Sequence, residues 1–183
     1  MIAARRGVLC ALLLVAMASA GPAASATRRI FSYDPADEAT RSAAGALTFE
    51  FYQRLMSTKL LRIRATEGPA TAELKPAPQE VLGRGGLSPL IGPNAIERDL
   101  YEILPAEDGA AMISAFCPGA RRAWLAFGRL KASQNLTVHV LGAEVAGHAR
   151  LCRTLEFAFH GEWRLPPGPA KDPNRLPEPH FPY

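Results

Sequence analysis

The sequence predicts an α+β fold, an antiparallel sheet of four to six strands with two helices packed on one face. Three observations lead to this fold class. An early stretch has the four-residue apolar spacing of a helix, a later stretch is bounded by helix start and stop signals, and apolar residues alternate with polar ones towards the end. The chain of 183 residues, 48% of them hydrophobic, suits one globular domain. We place it at 27–165, between a signal peptide, 1–26, and a Pro-rich extended tail, 166–183.

The first 26 residues have the three-part layout of a secretory signal peptide. A short basic start is followed by an apolar stretch, 8–20, and by two small-x-small sites, at 18–20 and 24–26. The apolar stretch has about 13 residues, whereas a helix needs ~20 to span a bilayer. We therefore expect cleavage before Gly21 or Thr27, and no stable membrane span after it.

Three features of the composition indicate the export route and the compartment. Arg5 and Arg6 precede the apolar stretch, so a twin-arginine signal is the alternative route. Cys10 lies inside the apolar stretch and not behind it, which argues against a lipoprotein. Arginine outnumbers lysine 17 to 4, and Ala, Gly and Pro are abundant, as in proteins from GC-rich bacteria. We expect a bacterial protein that is periplasmic or secreted.

The mature chain keeps two cysteines, Cys117 and Cys152, in a compartment that we expect to be oxidising. We predict that they form a disulfide across 35 residues. The chain-entropy relation assigns such a loop roughly 3.5 to 4 kcal/mol of stabilisation. Two buried free thiols are the alternative. A catalytic dithiol is not supported, because the chain has no Cys-x-x-Cys spacing.

The domain is expected to begin with a helix at about 35–57. The dipeptide Asp34-Pro35 is a helix start signal. The residues that then recur at four-residue spacing are Ala39, Ala43, Leu47, Phe51 and Leu55. A strand pattern competes with this helix, because Leu47, Phe49 and Phe51 alternate with polar residues.

A hairpin is predicted next, because two short runs, 60–67 and 70–75, flank the turn dipeptide Gly68-Pro69. The alternative is a helix that continues to Thr66. The segment 76–93 is rich in proline and glycine and is expected to be a long loop. Loops of that length in small domains are usually functional or mobile.

The second half of the domain is expected to contain a strand at 100–104 and a helix from Pro105 to about Phe116, which Cys117-Pro118-Gly119 stops. Three more strands are predicted, at 123–130, 136–141 and 150–164. In the last of them Arg153 interrupts the apolar face, which indicates a bulge.

No catalytic constellation is visible, so we predict no catalytic residue, no metal site and no cofactor. The serines lack a Gly-x-Ser-x-Gly elbow, and the histidines lack the close pairing of metal ligands. His139 and His160 lie on the polar faces of predicted strands. With Glu97 and Asp99 they are the acid–base candidates if the protein is a hydrolase.

Two groups of residues are candidates for binding. Arg121 and Arg122 next to Trp124 could hold an acidic or carbohydrate ligand through charge and stacking. Phe181 and Tyr183 in the tail would anchor a partner if the tail becomes ordered on contact. The alternatives are a solvated turn that leads into a core strand, and a tail without a partner.

The sequence therefore favours an exported, non-enzymatic binding domain. Its partner would be an envelope or extracellular protein or a glycan, held by the tail, the Gly-rich loop or both. The alternatives are a small secreted hydrolase acting on a cell-wall or carbohydrate substrate, and a ligand- or carbohydrate-binding module that uses Trp124 and Trp163. Without Arg5 and Arg6 the net charge is about +2, with no basic cluster for nucleic acid.

Overall fold

The computed structural model describes residues 27–53, 58–68, 71–143 and 148–165. Eight antiparallel strands form a closed barrel in which sequence neighbours pair and the last strand pairs with the first. The strands are β1 (Thr27–Pro35), β2 (Leu47–Gln53), β3 (Thr58–Ala65), β4 (Thr71–Pro76), β5 (Asp99–Ile103), β6 (Arg122–Phe127), β7 (Leu136–Ala143) and β8 (Arg150–Leu165). The helices are α1 (Glu38–Ala44), α2 (Ser88–Ile91) and α3 (Gly109–Phe116), with a single 3-10 turn at Gln79–Leu82.

The prediction of an α+β fold with an open sheet of four to six strands was wrong. The described part of the predicted helix at 35–57 is in fact the end of β1, the short α1 and the strand β2, and residues 54–57 lie outside the described ranges. Helix α1 ends at Gly45, where φ is 63° and a Cβ would overlap the Thr66 hydroxyl. The alternation of Leu47, Phe49 and Phe51 was therefore the correct signal. Two extra strands at the start of the chain allow the sheet to close on itself.

The other predicted strands are present. The hairpin is β3 and β4, and the later strands are β5, β6, β7 and β8. The disulfide between Cys117 and Cys152 is confirmed. The bulge predicted near Arg153 is also present, since Val140 pairs with Arg153 and Leu141 with Leu151, which leaves Cys152 as the extra residue.

The barrel interior is filled by side chains. Inward-facing aromatic residues meet edge to face, as in the pair Phe31 and Phe51, whose ring centroids are 4.9 Å apart. The largest fully buried inward side chains include Tyr33, Phe31, Phe49, Phe51, Phe127 and Phe157. An eight-stranded barrel is just wide enough for side chains to fill it. Helices α1 and α3 contact each other at one end, where each follows the end of a strand.

A second apolar cluster lies on the outside of the barrel. The segment 77–98, which we call the belt, crosses the outer faces of β5, β6 and β7. The residues that it buries together with its own Leu82 and Leu87 are Leu100, Trp124, Ala126, Leu141 and Ala143. The predicted long loop is thus a packed cover for one side of the barrel.

No helix in the described part of the chain is both long and apolar enough to cross a membrane.

Candidate functional site

The arginines and the tryptophan predicted to bind a ligand are partly engaged within the protein. Trp124 is 1% exposed, because the belt covers its side of β6. The Arg122 guanidinium lies 4.9 Å from the centre of the Trp124 ring, and its Nη2 atom is 2.7 Å from Glu102 Oε1. Arg121 is exposed. Phe181 and Tyr183 lie outside the described residues, as do the predicted signal peptide and the tail.

The structure brings together two of the four hydrolase candidates. His139 Nε2 lies 3.6 Å from Glu97 Oε2, and His139 Nδ1 lies 3.0 Å from Thr154 Oγ1. Both Glu97 and His139 are largely shielded from water, so the contact ties the end of the belt to the outer wall of the barrel. Ser88 lines a cavity of about 110 Å³ together with Glu97, but within the described residues it makes no hydrogen bond to His139.

The other two candidates are not part of this contact. Asp99 is the exposed first residue of β5, where it pairs with Phe127 of β6. His160 Nδ1 is 2.8 Å from Asp34 Oδ2, across the pair formed by β8 and β1. Burial and, to a smaller extent, the charge of Asp99 raise the pKa of Tyr101. Within the described ranges, no three His, Cys, Asp or Glu side chains are grouped so that they could hold a metal ion.

A cleft of about 530 Å³ opens in the barrel wall between β3 and β4, and we call it the β3–β4 cleft. Only three residue pairs join these strands, and the last of them is Arg62 with Glu73. On its other side β3 carries a bulge, since Glu50 pairs with Arg62 and Phe51 with Leu60. Beyond this pair β3 and β4 no longer pair with each other, whereas β4 continues to pair with β5 through residues 74–76.

The lining of the cleft combines positive charge with apolar surface. Its cations are Arg28, Lys59, Arg62 and Lys75, and its carboxylates are Glu50 and Glu73. Its apolar residues are Leu60, Leu61, Leu74, Pro76 and Leu104, and Tyr52 completes the wall. Four cations against two carboxylates leave the cleft with an excess of positive charge.

The charges in the cleft differ in how they are paired. Glu50 is 6% exposed, and its Oε1 atom lies 2.5 Å from Arg28 Nη2. The Nε atom of Arg28 is buried and finds no hydrogen-bond partner among the described residues. Arg62 Nη2 lies 3.9 Å from Glu73 Oε1. Lys59 and Lys75 form no ion pair among the described residues. The excess charge is therefore located mainly on the two lysines.

Sequence reasoning missed the cleft residues. Arg62 is in the first strand of the predicted hairpin and Lys75 is in the second, while Lys59 directly precedes the first, so each resembles an ordinary exposed residue of a hairpin. Only the point at which β3 and β4 stop pairing makes these residues neighbours around one cavity. The available signal was a hairpin, β3 and β4, whose strands differ in length and carry two of the chain's four lysines.

Comparison of the chain with protein-family models, with curated proteins and with solved structures finds no match. The function must therefore follow from the residues themselves.

Proposed function

We propose that the protein is an exported, non-enzymatic binding domain, and that the β3–β4 cleft holds a small ligand with an anionic group and an apolar part. The observation that carries this proposal is the combination of four cations with a leucine-lined wall in one cavity. The volume of about 530 Å³ lies within the range of cavities that bind small molecules.

Charge pairing supports an anionic ligand. Arg28 neutralises Glu50, whereas Lys59 and Lys75 have no carboxylate partner among the described residues. A carboxylate, sulfate or phosphate near these ammonium groups gains charge-assisted hydrogen bonds.

The apolar wall supports an amphipathic ligand. Leu60 and Leu74 belong to the barrel core and also line the cleft, so the cavity reaches from the charged rim to the edge of the interior. Each methylene group buried there contributes about 0.8 kcal/mol to binding. A short acyl chain or an aromatic ring suits this part of the cavity.

The residue types in the cleft support binding without catalysis. In the described part of the chain its lining includes no His, Ser or Cys, and each of its two carboxylates lies beside an arginine. A hydrolase needs a nucleophile or an activated water together with a general base within hydrogen-bond reach. Among the described residues, the histidine–carboxylate contacts His139 with Glu97 and His160 with Asp34 both lie outside the cleft.

Binding of a fluorescent amphipathic anion tests the proposal. Dansyl-labelled undecanoate is titrated against the protein, and its uncharged methyl ester is titrated in parallel. We expect the acid to bind at least tenfold more tightly than the ester, and the double variant Lys59→Glu/Lys75→Glu to lose that preference. The matched control is Arg129→Glu/Lys131→Glu, which makes the same change of charge at exposed positions outside the cleft.

Equal affinity for the acid and the ester would contradict the proposal. Retention of the preference for the acid in Lys59→Glu/Lys75→Glu would also contradict it. Unfolding curves of all variants show whether any loss of binding comes from a loss of the fold.

A further inference from the structure

A separate surface surrounds Trp163 on the outside of β8 and β1. Trp163 is 48% exposed. Its ring is folded back along its own strand, since a Cβ added to Gly161 would lie 3.1 Å from the Trp163 Cη2 atom. The missing side chain at Gly161 thus makes room for the indole. One face of the ring thus lies against the strand at Gly161, and about half of the side chain remains exposed to solvent.

The orientation of the indole is held by its neighbours. The ring of His160 stacks on Trp163, with centroids 6.1 Å apart and planes inclined by 18°. His160 is itself bonded to Asp34, with 2.8 Å between Nδ1 and Oδ2. His160 is the bulged residue of β8, because Ser32 pairs with Gly161 and Tyr33 with Phe159. The bulge therefore allows residue 160 to reach both partners.

Polar groups surround the exposed indole. Ser32 pairs with Gly161 across the strands, and its hydroxyl oxygen is 3.4 Å from the Thr48 hydroxyl oxygen. Asp34 and His160 lie at one side of the ring, and Ile30 pairs with Trp163 at the other. The indole thus stacks with the His160 imidazole, the Asp34 carboxylate is hydrogen-bonded to that imidazole, and the Ser32 hydroxyl is carried by the residue that pairs with Gly161.

This pattern discriminates between classes of ligand. An apolar protein surface placed on Trp163 would remove water from Asp34 and Ser32 without replacing their hydrogen bonds, which costs free energy. A pyranose ring has an apolar face of C–H groups that stacks on an indole, and its rim of hydroxyls donates and accepts hydrogen bonds. The same ligand thus meets both the aromatic and the polar requirement of the site.

We propose that Trp163, with His160, Asp34 and Ser32 beside it, binds a sugar ring of a glycan. Trp163 supplies the stacking face, and the three polar side chains bond to hydroxyls of the sugar. The site needs no charge on the ligand. It is independent of the β3–β4 cleft, whose lining contains none of these four residues.

Trp fluorescence tests the proposal. The variant Trp124→Phe leaves Trp163 as the single reporter, because the chain has two tryptophans. Uncharged tetrasaccharides of glucose and of N-acetylglucosamine are titrated against the full chain. We expect a saturable change in emission with at least one of them. The same binding, measured by isothermal titration calorimetry in the wild type, should fall at least tenfold in Trp163→Ala and survive in part in Trp163→Phe.

Two controls separate this site from other sources of binding. Leu151→Ala removes another exposed apolar side chain of β8 and should leave sugar affinity unchanged. Lys59→Glu/Lys75→Glu should also leave it unchanged, so failure of the cleft and failure of this site are distinguishable. The proposal is overturned if none of the sugars gives a saturable signal or if Trp163→Ala binds as the wild type does. A response only after deletion of 166–183 would assign the surface to the tail and would equally overturn it.

Discussion

Gly142 shows how a single residue makes room for the disulfide that links the end of α3, at Cys117, to Cys152 in β8. It lies in β7, and a Cβ at this position would overlap the Cys117 Sγ atom and lie 3.0 Å from Cys152 Sγ. Both sulfurs therefore pack against the backbone of the strand. The cysteine pair was predictable from composition and compartment. The need for glycine opposite it was not, because it depends on which strand passes the disulfide.

We expect Gly142→Ala to destabilise the protein, because an added methyl group in a packed site forces the surroundings to shift. Such overpacking typically costs about 1–3 kcal/mol. The free energy of unfolding is measured in urea, and the free thiols are counted after alkylation. The matched control is Gly128→Ala. An added Cβ at Gly128 would contact nothing within 4 Å, and the backbone φ there is not positive. Equal unfolding midpoints for the two variants would refute the close contact.

At the scale of elements, strand β6 indicated what the belt does. Residues 123–127 are all apolar, and a run without polar alternation is typical of a strand that is buried on both faces. The inner face packs in the barrel core, and the belt supplies the cover for the outer face. The composition of the belt predicts a loop, because seven of its 22 residues are proline or glycine. Its apolar side chains form only short groups, such as Leu87, Leu90 and Ile91, and so short a pattern does not show that the segment packs on the barrel.

We expect Leu87→Asp to detach the belt from the barrel, because a charge would replace a buried side chain in the outer cluster. The variant is made in a Trp163→Phe background, so that emission reports on Trp124 alone. The emission maximum should move to longer wavelength while the β-sheet circular dichroism is kept. Val81→Asp, at an exposed position of the belt, is the control and should leave the emission in place. An emission maximum in Leu87→Asp that stays at the wild-type wavelength would show that attachment of the belt to the barrel does not depend on Leu87.

At the scale of the whole molecule, local sequence patterns do not predict that the barrel closes. Six of the eight strands follow from alternation or turn signals, but the early stretch 35–57 satisfied a helical and a strand spacing at once. Closure also needs β8 to pair with β7 through its first half and with β1 through its second half. The pairing of β8 with β1 joins residues more than a hundred positions apart, whereas the cleft residues come together where β3 and β4 stop pairing. No local spacing in a single sequence shows which strands pair over such separations along the chain.

The seam between the first and last strands carries a charged pair that we expect to make stability depend on pH. Arg29 Nε donates a hydrogen bond to Glu162 Oε1 at 2.8 Å. The Arg29 guanidinium also lies 5.0 Å from the centre of the Phe31 ring. This pair is at the end of the barrel opposite α1 and α3. The hydrogen bond from Arg29, aided by one from Arg164, lowers the pKa of Glu162. A carboxyl group whose pKa is lower in the folded than in the unfolded state stabilises the fold above its unfolded pKa, and the contribution disappears as the pH falls through the folded pKa.

Glu162→Gln should therefore cost about 1 kcal/mol of unfolding free energy near neutral pH. The difference from the wild type should shrink as the pH falls below about 4.5, since the wild-type carboxylate is then progressively protonated. Urea unfolding at a series of pH values between roughly 3 and 7 measures both effects. Glu80→Gln, at an exposed glutamate without an ion pair among the described residues, should follow the wild-type curve throughout. A Glu162→Gln deficit that persists undiminished in acid would mean that the seam is held by the packing of Arg29 on the phenylalanines and not by its charge.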